Sequence, residues 1–306
     1  MGKPEIDVVG LGVSTVDILN RIEHFPTTDE VQETLETSIQ GGGPVATAIV
    51  TLARLGASTA MLDIIGDDWR SNIIRQGFEQ EGVNTEHLIA SAGHTASIST
   101  ILVQAGSGSR AILFSRGTSG EYPEGSIPEH LIQNARFLHI NGRHLKASRL
   151  AMKSIHAAGG KVSFDGGAQR FKSADLELLP DVDLAIVALD YAEQCLGIHD
   201  PAGAAKELIR VGPSVAVVTD GIRGSWIAEK NGQTFHQPAF CLPQTIDTTG
   251  CGDSYHGGFI FGMLQGWDLP TCAEWASAVA AINSQTLGGR AGLPASDQVK
   301  TFLQSR

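Results

Sequence analysis

The run Asp-Thr-Thr-Gly-Cys-Gly-Asp occupies residues 247–253 and is followed directly by an apolar helical pattern. Its two glycines allow the backbone to turn tightly and to approach a ligand without hindrance from a Cβ atom. We expect the N–H groups of Gly250, Cys251 and Gly252 to point at one spot at the helix N-terminus, where phosphate oxygens bind. Asp253 beside that spot suits removal of a proton from a hydroxyl that attacks a γ-phosphate. From these seven residues alone, a helix cap at Asp253 with glycines that only turn the chain remains an open alternative.

Short apolar runs alternate with helical patterns along the rest of the chain. Runs typical of strands buried on both faces occur at residues 6–12, 59–65, 137–141, 161–165, 184–188 and 214–219. Helical patterns cover residues 44–55 and 253–265, each followed by a glycine. This alternation predicts the α/β class, with a mostly parallel sheet between helix layers.

Two regions interrupt the alternation. Residues 13–40 carry an alternating polar pattern, and residues 95–116 hold two apolar runs around a Gly-Ser turn at 106–109, which indicates a hairpin. We predict that they form a small β lid over the active-site edge, with strands at 31–39, 97–103 and 111–114. We also predict that the second lid face pairs two chains into a homodimer, because an apolar sheet face is rarely left bare. The chain 1–306 is predicted to form a single domain.

The composition excludes several classes of partner. The net charge is −11, with 33 acidic and 22 basic residues. Such a surface repels nucleic-acid phosphates and anionic lipid, so we expect neither nucleic-acid nor membrane partners. The four cysteines show neither zinc-type spacing nor a disulfide pattern, which favours a reducing compartment. Because the N-terminal stretch also lacks the apolar run of a signal peptide, we expect a cytoplasmic protein.

The run at 247–253 resembles the D-T-x-G-A-G-D motif of the ribokinase-like (PfkB) carbohydrate kinases, with Cys251 at the usual Ala position. The resemblance covers nearly the whole chain. Its other matches, in chain order, are Asp17, Gly41-Gly42-Gly43, Asp190 to Glu193, Thr219-Asp220-Gly221 with Gly224, and residues 290–294. The resemblance implies a three-layer ribokinase-like sandwich that transfers phosphate from ATP to a sugar hydroxyl.

The resemblance also assigns roles to the matching residues. Asp253 would be the general base beside an anion hole of Gly250, Cys251 and Gly252. The implied substrate-binding residues are Asp17, Gly41, Gly42, Gly43 and Asn141, and the implied ATP-binding residues are Thr219, Gly221, Gly224, Gly252 and Asn283. Asp190 and Glu193 would hold Mg²⁺ through water, with Asp190 replacing the family's Asn. Asp247 and the carbonyl of Thr249 would hold a monovalent cation, K⁺.

The segments around the acceptor site narrow the substrate prediction. The loop at 41–48 (GGGPVATA), the run at 236–240 (HQPAF) and the ending at 288–294 (GGRAGLP) resemble the sulfofructose kinase branch. Those enzymes phosphorylate 6-deoxy-6-sulfofructose at its 1-hydroxyl. That branch is expected to present a Lys from the lid near position 31, where this chain has Val31. His24, Arg110 or Arg116 would then have to supply the cation.

A basic cluster independently indicates an anionic substrate. Arg143, His144 and Lys146 follow the strand run at 137–141, at the end of a sheet where α/β proteins bind ligands. Arg143 suits bidentate capture of a sulfonate, phosphate or carboxylate. The alternative is a charged, solvated loop.

Other functions remain as alternatives. The acceptor could be fructose 6-phosphate, a sugar acid, ribose, fructose or a nucleoside, and a sugar-binding regulator without catalysis is a further class. A dinucleotide-binding enzyme is disfavoured because the run at 10–15 (GLGVST) lacks the third glycine, and no P-loop motif is present.

Cys251 is expected to be a reactive thiol, since a helix N-terminus lowers the pKa of a cysteine. Alkylation of Cys251 would then obstruct the anion hole. A buried and inert thiol is the alternative.

Overall fold

The computed structural model describes residues 6–230 and 232–306. Its strands are β1 (Val8–Leu11), β2 (Thr15–Ile22), β3 (Glu36–Gly42), β4 (Thr59–Ile65), β5 (Leu88–Ala90), β6 (Ser97–Gln104), β7 (Arg110–Ser115), β8 (Phe137–Ile140), β9 (Lys161–Gly166), β10 (Leu184–Ala188), β11 (Val215–Thr219), β12 (Ser225–Glu229) and β13 (Thr234–Gln237). Its α-helices are α1 (Pro44–Leu55), α2 (Trp69–Gln80), α3 (Glu129–Gln133), α4 (Leu145–Ala157), α5 (Leu189–Leu196), α6 (Pro201–Val211), α7 (Cys251–Leu264), α8 (Leu269–Asn283) and α9 (Ser296–Gln304). In this part of the chain, every helix is too short or too polar to span a membrane. Residues 1–5 of the predicted domain lie outside the described residues.

The larger sheet has the strand order β13-β12-β11-β10-β9-β8-β1-β4-β5. Seven neighbouring strands of this sheet run parallel, namely β11, β10, β9, β8, β1, β4 and β5, and β12 and β13 add two antiparallel strands at one edge. All six predicted strand runs are therefore confirmed, and they form the sheet interior. The short strands β5, β12 and β13 were not predicted, because three to five residues at a sheet edge give little hydrophobic pattern.

Two apolar cores flank this sheet, one on each face. Successive strand residues enter opposite cores, as Val8 and Val9 of β1 do. One core takes in side chains from α1, α2, α7, α8 and α9, and the other takes in side chains from α3, α4, α5 and α6. The predicted α/β three-layer sandwich is thus confirmed. It places the carboxyl ends of the parallel strands at one edge, where ligand sites form in such sheets.

The lid is a separate four-stranded sheet with the order β3-β2-β6-β7. The predicted strands 97–103 and 111–114 are confirmed as β6 and β7. The predicted strand 31–39 is wrong, because the strand begins only at Glu36 and Val31 lies fully exposed in an irregular segment. The lid also contains β2, which was not predicted as a strand. Leu19, Ile101 and Val103 on its inner face pack against Leu287, so the lid rests directly on the body of the protein.

Candidate active site

The run at 247–253 lies where the α7 helix begins. Gly250 is the N-cap, with a φ of 72°, and a Cβ there would lie 2.6 Å from the Cα of Gly289. Only glycine fits both the left-handed backbone and this close approach. The Ser254 N–H donates to the Gly250 carbonyl at 2.8 Å, so the amides before it lie outside the helical ladder. The Cys251 N–H donates to the Thr248 carbonyl at 3.3 Å. The N–H groups that follow it in the first turn therefore form the positive end of the helix.

Asp253 is held in the first turn of α7 with its carboxylate in a cluster of charged groups. Burial raises its pKa above the ordinary aspartate value, and the charge of Arg170 opposes that rise. The Arg170 Nη1 atom lies 3.9 Å from the Asp253 Oδ1 atom. A carboxylate with a raised pKa is a better proton acceptor than a free aspartate. The location and electrostatics of Asp253 thus suit the predicted general base.

Asp17 comes from β2 of the lid and is almost completely buried. Its Oδ1 atom accepts a hydrogen bond from the Thr15 hydroxyl at 2.7 Å. Burial raises the pKa of Asp17, and the charges of Arg290 and Arg170 act in the opposite direction. Asp17 in turn raises the pKa of Asp253, so the fold brings the two carboxylates into one electrostatic cluster.

The glycines at 41–43 form the end of β3 and the entrance to α1. A Cβ on Gly42 would overlap the Asp17 carboxylate, and a Cβ on Gly41 would overlap the Arg290 guanidinium. These two glycines therefore make room for both charged groups beside the lid. Gly43 is the N-cap of α1, with a φ of 96°.

Arg290 organises this corner, and its role was not recognised in the sequence beyond its place in the closing segment. Its guanidinium donates to the Gly42 carbonyl at 2.8 Å and to the Thr47 hydroxyl at 3.2 Å. Its backbone N–H donates to the Gln40 side chain at 2.9 Å. Burial lowers the pKa of Arg290 to about 10, so it stays charged at neutral pH. One residue thus connects the lid, α1 and the segment behind the anion hole.

Asn141 and Arg143 lie just beyond β8, at the carboxyl edge of the sheet as predicted. The Arg143 side chain is half-buried and donates to the Gly120 carbonyl at 3.0 Å. The prediction of a joint cluster with His144 and Lys146 is wrong. His144 is buried, with one ring nitrogen 2.9 Å from the Asp63 carboxylate and the other accepting the Tyr122 N–H. Lys146 lies 3.9 Å from Glu124 on the surface, so the three cations point to three different places.

The predicted nucleotide residues lie on turns at the ends of β11 and α8. Thr219 ends β11, and Gly221 to Arg223 form a short 3₁₀ turn. Gly224 has a φ of 93°, and a Cβ there would overlap the backbone at Gln237. Asn283 is fully buried and donates to the Gly289 carbonyl at 3.1 Å. Its side chain therefore supports the segment at Gly289, beside the N-terminus of α7, and the ATP-binding role of Asn283 stays a prediction.

The predicted magnesium residues, Asp190 and Glu193, share the α5 helix one turn apart. An Asp190 oxygen accepts the Gln169 N–H at 2.6 Å, and Glu193 lies 3.0 Å from His199. Within residues 6–230 and 232–306, no three His, Cys, Asp or Glu side chains converge on a metal position. Two carboxylates without a protein cage fit Mg²⁺, which takes most of its ligands from water and nucleotide phosphates.

Asp247 is fully buried, and the hydrogen bonds to its carboxylate come from neutral groups. One oxygen accepts the Thr249 N–H and hydroxyl, at 2.8 and 2.7 Å, and the other accepts the Gly288 N–H at 2.8 Å. No Lys or Arg forms an ion pair with Asp247 in the described part of the chain. A buried carboxylate without a protein cation fits the predicted monovalent cation.

Cys251 does not have the predicted reactive thiol. Its Sγ atom points to the Ala280 carbonyl of α8 at 3.5 Å, away from the helix end. Burial raises the pKa of Cys251 to about 12, and this outweighs the favourable charge of Arg110. The prediction failed because the helix N-terminus lowers a thiol pKa only when the sulfur faces it.

Three residues near Asp253 were missed: Asp165, Arg170 and His256. Asp165 lies in β9, and His256 lies one turn after Asp253 on α7. A polar residue at the carboxyl end of a predicted parallel strand was an available signal for Asp165. His256 could not be placed from the sequence, because only the packing of α7 on β9 brings it to Asp165.

The chain is similar to carbohydrate kinases over nearly its whole length. Residues 6–296 match the pfkB family of carbohydrate kinases. An ATP-dependent ribose-1-phosphate kinase from Halopiger xanaduensis is 26% identical over 98% of this chain and 99% of its own. A 5-dehydro-2-deoxygluconokinase from Geobacillus thermodenitrificans is 25% identical over 98% and 93%. The structure of Arabidopsis thaliana ribokinase with ribose and ATP superposes with a TM-score of 0.84, at 20% identity over 98% and 99% of the two chains.

The matched family makes the chain a kinase, and the superposed structure shows that it has the ribokinase fold. It belongs to the pfkB family of carbohydrate kinases.

Proposed function

We propose that this protein transfers the γ-phosphoryl group of ATP to a hydroxyl of an anionic sugar derivative, with Asp253 as the general base. The observation that carries the proposal is the partly buried Asp253 carboxylate in the first turn of α7, 3.9 Å from Arg170 and in one electrostatic cluster with Asp17. A base and a positive helix end at one spot are what in-line phosphoryl transfer to a hydroxyl requires.

The residues would act in sequence. Asp17 accepts a hydrogen bond from the acceptor sugar and orients it towards Asp253. Asp253 removes the proton of the attacking hydroxyl as the new O–P bond forms and the bond to ADP breaks. The amides at the start of α7 stabilise the negative charge on the transferring group. The proton leaves Asp253 for solvent after the products dissociate.

The nucleotide would lie along the turn at Thr219, Gly221 and Gly224, with Gly252 close to its phosphates. Asp190 and Glu193 would hold Mg²⁺ through water, and the metal would neutralise phosphate charge. Asp247 and the Thr249 carbonyl would hold K⁺ behind the anion hole. Each assignment extends the family pattern to groups whose exposure and donor chemistry suit it.

The acceptor is proposed to be anionic, with 6-deoxy-6-sulfofructose, phosphorylated at the 1-hydroxyl, as the leading candidate. Arg143 would bind the anionic group from the carboxyl edge of the sheet, beside Asn141. The names of two relatives denote an anionic acceptor, a sugar phosphate in one and a sugar acid in the other. Fructose 6-phosphate, a sugar acid, ribose, fructose and a nucleoside are the alternatives within the same chemistry. A sugar-binding regulator without catalysis is a further alternative.

An ADP-release screen tests this function directly. The acceptors are sulfonated sugars, sugar phosphates, sugar acids, neutral sugars and nucleosides, with Asp253→Asn protein as the blank. We expect turnover with an anionic sugar and weak turnover with neutral ones. A preference for a neutral acceptor would contradict the anionic assignment, and no acceptor at all would favour the regulator.

Arg143→Ala then tests how the anion is recognised. Removing one partner of a buried charge pair costs about 2–5 kcal/mol, so kcat/KM for the anionic acceptor should fall roughly 30-fold or more. A neutral analogue should lose little, because it never used the guanidinium. Arg149→Ala is the matched control, since Arg149 pairs with Glu177 on the surface. Equal losses on both acceptors would show that Arg143 has no recognition role.

We also propose that the protein is a single-domain cytoplasmic enzyme that pairs into a homodimer through the outer face of its lid. Ile39 and Leu113 lie on that face with 55% and 65% of their surface exposed. The register places Ile18 and Thr100 between them, so they form one row across the sheet. Two such rows facing each other would bury apolar surface that a single chain leaves in water.

A further inference from the structure

A buried polar cluster lies directly beneath Asp253 and has no part in the mechanism above. Asp165 of β9 is only 3% exposed, and its Oδ1 atom lies 3.4 Å from Nε2 of His256 on α7. The ring of His139 from β8 lies 5.3 Å from the His256 ring, with its Nδ1 atom 3.2 Å from the Ser163 hydroxyl. Two strands, β8 and β9, and one helix, α7, thus contribute side chains to this cluster.

The Asp165 carboxylate is buried without hydrogen bonds. Within the described residues neither of its oxygens has a hydrogen-bonding partner, and the side-chain nitrogen closest to it is His256 Nε2 at 3.4 Å. A buried carboxylate without hydrogen bonds stays ionised only if nearby cations compensate for lost hydration. Burial by itself raises the pKa of Asp165, but the charges of His256 and Arg170 outweigh it and hold that pKa below the ordinary value.

Arg170 lies between two carboxylates. Its Nη1 atom is 4.0 Å from Asp165 Oδ2 and 3.9 Å from Asp253 Oδ1. The loop that carries Arg170 is anchored at the preceding residue, Gln169, which has a left-handed φ of 56° and whose N–H donates to the Asp190 carboxylate. At these two distances Arg170 makes a full ion pair with neither carboxylate. An Arg that closed completely on Asp253 would stabilise its ionised form and weaken it as a base.

We propose that Asp165 and His256 are positioning residues for phosphoryl transfer, a buried ion pair that holds Arg170 midway between Asp165 and Asp253 and keeps the catalytic carboxylate free to accept a proton. This proposal rests on the assignment of Asp253 as the base. Asp165 and His256 act through Arg170 and through their charges, and they do not touch the acceptor.

Asp165 and His256 have opposite effects on the pKa of Asp253. Besides Asp165 and His256, the groups that face it are Arg170 from the loop after β9, Asp17 from the lid, Arg290 from the segment after α8 and Cys251 from its own helix, with His139 behind His256. Asp165 raises the pKa of Asp253 and His256 lowers it. Burial lowers the pKa of His139 to about 3, so His139 is neutral at working pH.

The test is the pH dependence of kcat/KM for the acceptor found in the screen, at saturating ATP. The rate falls on the acidic side as the base becomes protonated. Asp165→Asn removes a negative charge, so the acidic limb of the profile, where kcat/KM falls, should move to lower pH. The maximal kcat/KM on the plateau should fall ~10-fold, because Arg170 closes on Asp253. That is well short of the ~10²–10⁴-fold loss for removal of a general base. His256→Gln removes a positive charge, so the limb should move to higher pH.

Ser163→Ala is the matched control, because it alters the same buried cluster without changing its charge and should leave the limb in place. Arg170→Gln is a second variant at a half-exposed residue, and it should move the limb in the same direction as His256→Gln even if a buried variant fails to fold.

Shifts of Asp165→Asn and His256→Gln in the same direction, or no shift in the variants that fold, would overturn the proposal. If Asp253→Asn itself keeps turnover, the proposed function fails first. An inactive Asp253→Asn with unshifted limbs refutes the positioning role alone.

Discussion

Two carboxylates in the cleft, the buried Asp17 and the partly buried Asp253, are only partly compensated by nearby cations. Burial raises the pKa of both, and the nearby cations, Arg170 and at Asp17 also Arg290, oppose that rise only in part. At neutral pH the ionised forms therefore reduce the free energy of unfolding. Active sites commonly retain such groups, because the property that lowers stability is the one that makes the carboxylate useful.

Asp17→Asn should change stability in a pH-dependent way. A carboxyl with a raised folded pKa contributes stability that is fully present below its unfolded pKa and is lost as pH rises through the folded value. The variant lacks this loss, so its Tm should exceed that of the wild type by more at about pH 8 than at about pH 4. Acceptor KM should rise in the same protein. The exposed Asp297→Asn is the control, and a Tm difference that does not change with pH would contradict this account.

Cys251 should be inert to iodoacetamide at neutral pH, because its pKa of about 12 leaves almost no thiolate. Peptide mass mapping should find the label first on Cys241, the exposed cysteine. Cys251→Ala and the wild type should lose activity at the same rate. Selective protection of the Cys251→Ala variant would restore the original expectation of a reactive thiol in the anion hole.

At the scale of elements, the lid closes onto the motif loop. The Arg110 Nη1 atom at the start of β7 donates to the Thr248 hydroxyl at 2.5 Å. The same hydroxyl lies 3.5 Å from the Gly108 carbonyl at the hairpin tip. The hairpin therefore covers the cleft from Asp17 to the start of the motif, which is where water has to be excluded during phosphoryl transfer.

Arg110→Ala should loosen this closure without removing a catalytic group. We expect a higher acceptor KM and a rise in ATP hydrolysis without acceptor, because water gains access to the γ-phosphoryl group. Arg210→Ala is the matched control, since Arg210 pairs with Glu207 on the surface of α6 and is not part of the lid. Both activities can be followed in one ADP-release assay. If the two variants behave alike, the Arg110 contact has no role in closure.

The elements that could be predicted from the sequence are those with strong local patterns. The six buried strands, α1 and the hairpin at 106–109 all have clear apolar periods or turn residues. The β2 strand (TVDILNRI) has a weak pattern, because polar Asp17 on the face that lines the site and polar Asn20 on the opposite face both interrupt its apolar residues. Arg170, His256 and the Arg110 contact depend on pairings between distant segments, which no local pattern encodes.

At the scale of the whole molecule, the lid's outer face is the feature that a single chain leaves unexplained. Light scattering at micromolar concentration should give the mass of a dimer. Leu113→Asp should give a monomer, because a charge on the paired face would have to be buried. Exposed Leu150→Asp on α4 is the control, since it lies away from the lid and should stay dimeric. A monomeric wild type would contradict the pairing.

The proposed phosphoryl transfer depends on Asp253, and Asp253→Asn tests this dependence most directly. The substitution keeps the size of the side chain and removes its ability to accept a proton. Phosphoryl transfer to the preferred acceptor should fall ~10²–10⁴-fold, while ATP binding and the thermal unfolding curve stay near those of the wild type. A folded, ATP-binding Asp253→Asn protein with near-normal kcat would contradict the central claim that this carboxylate is the base.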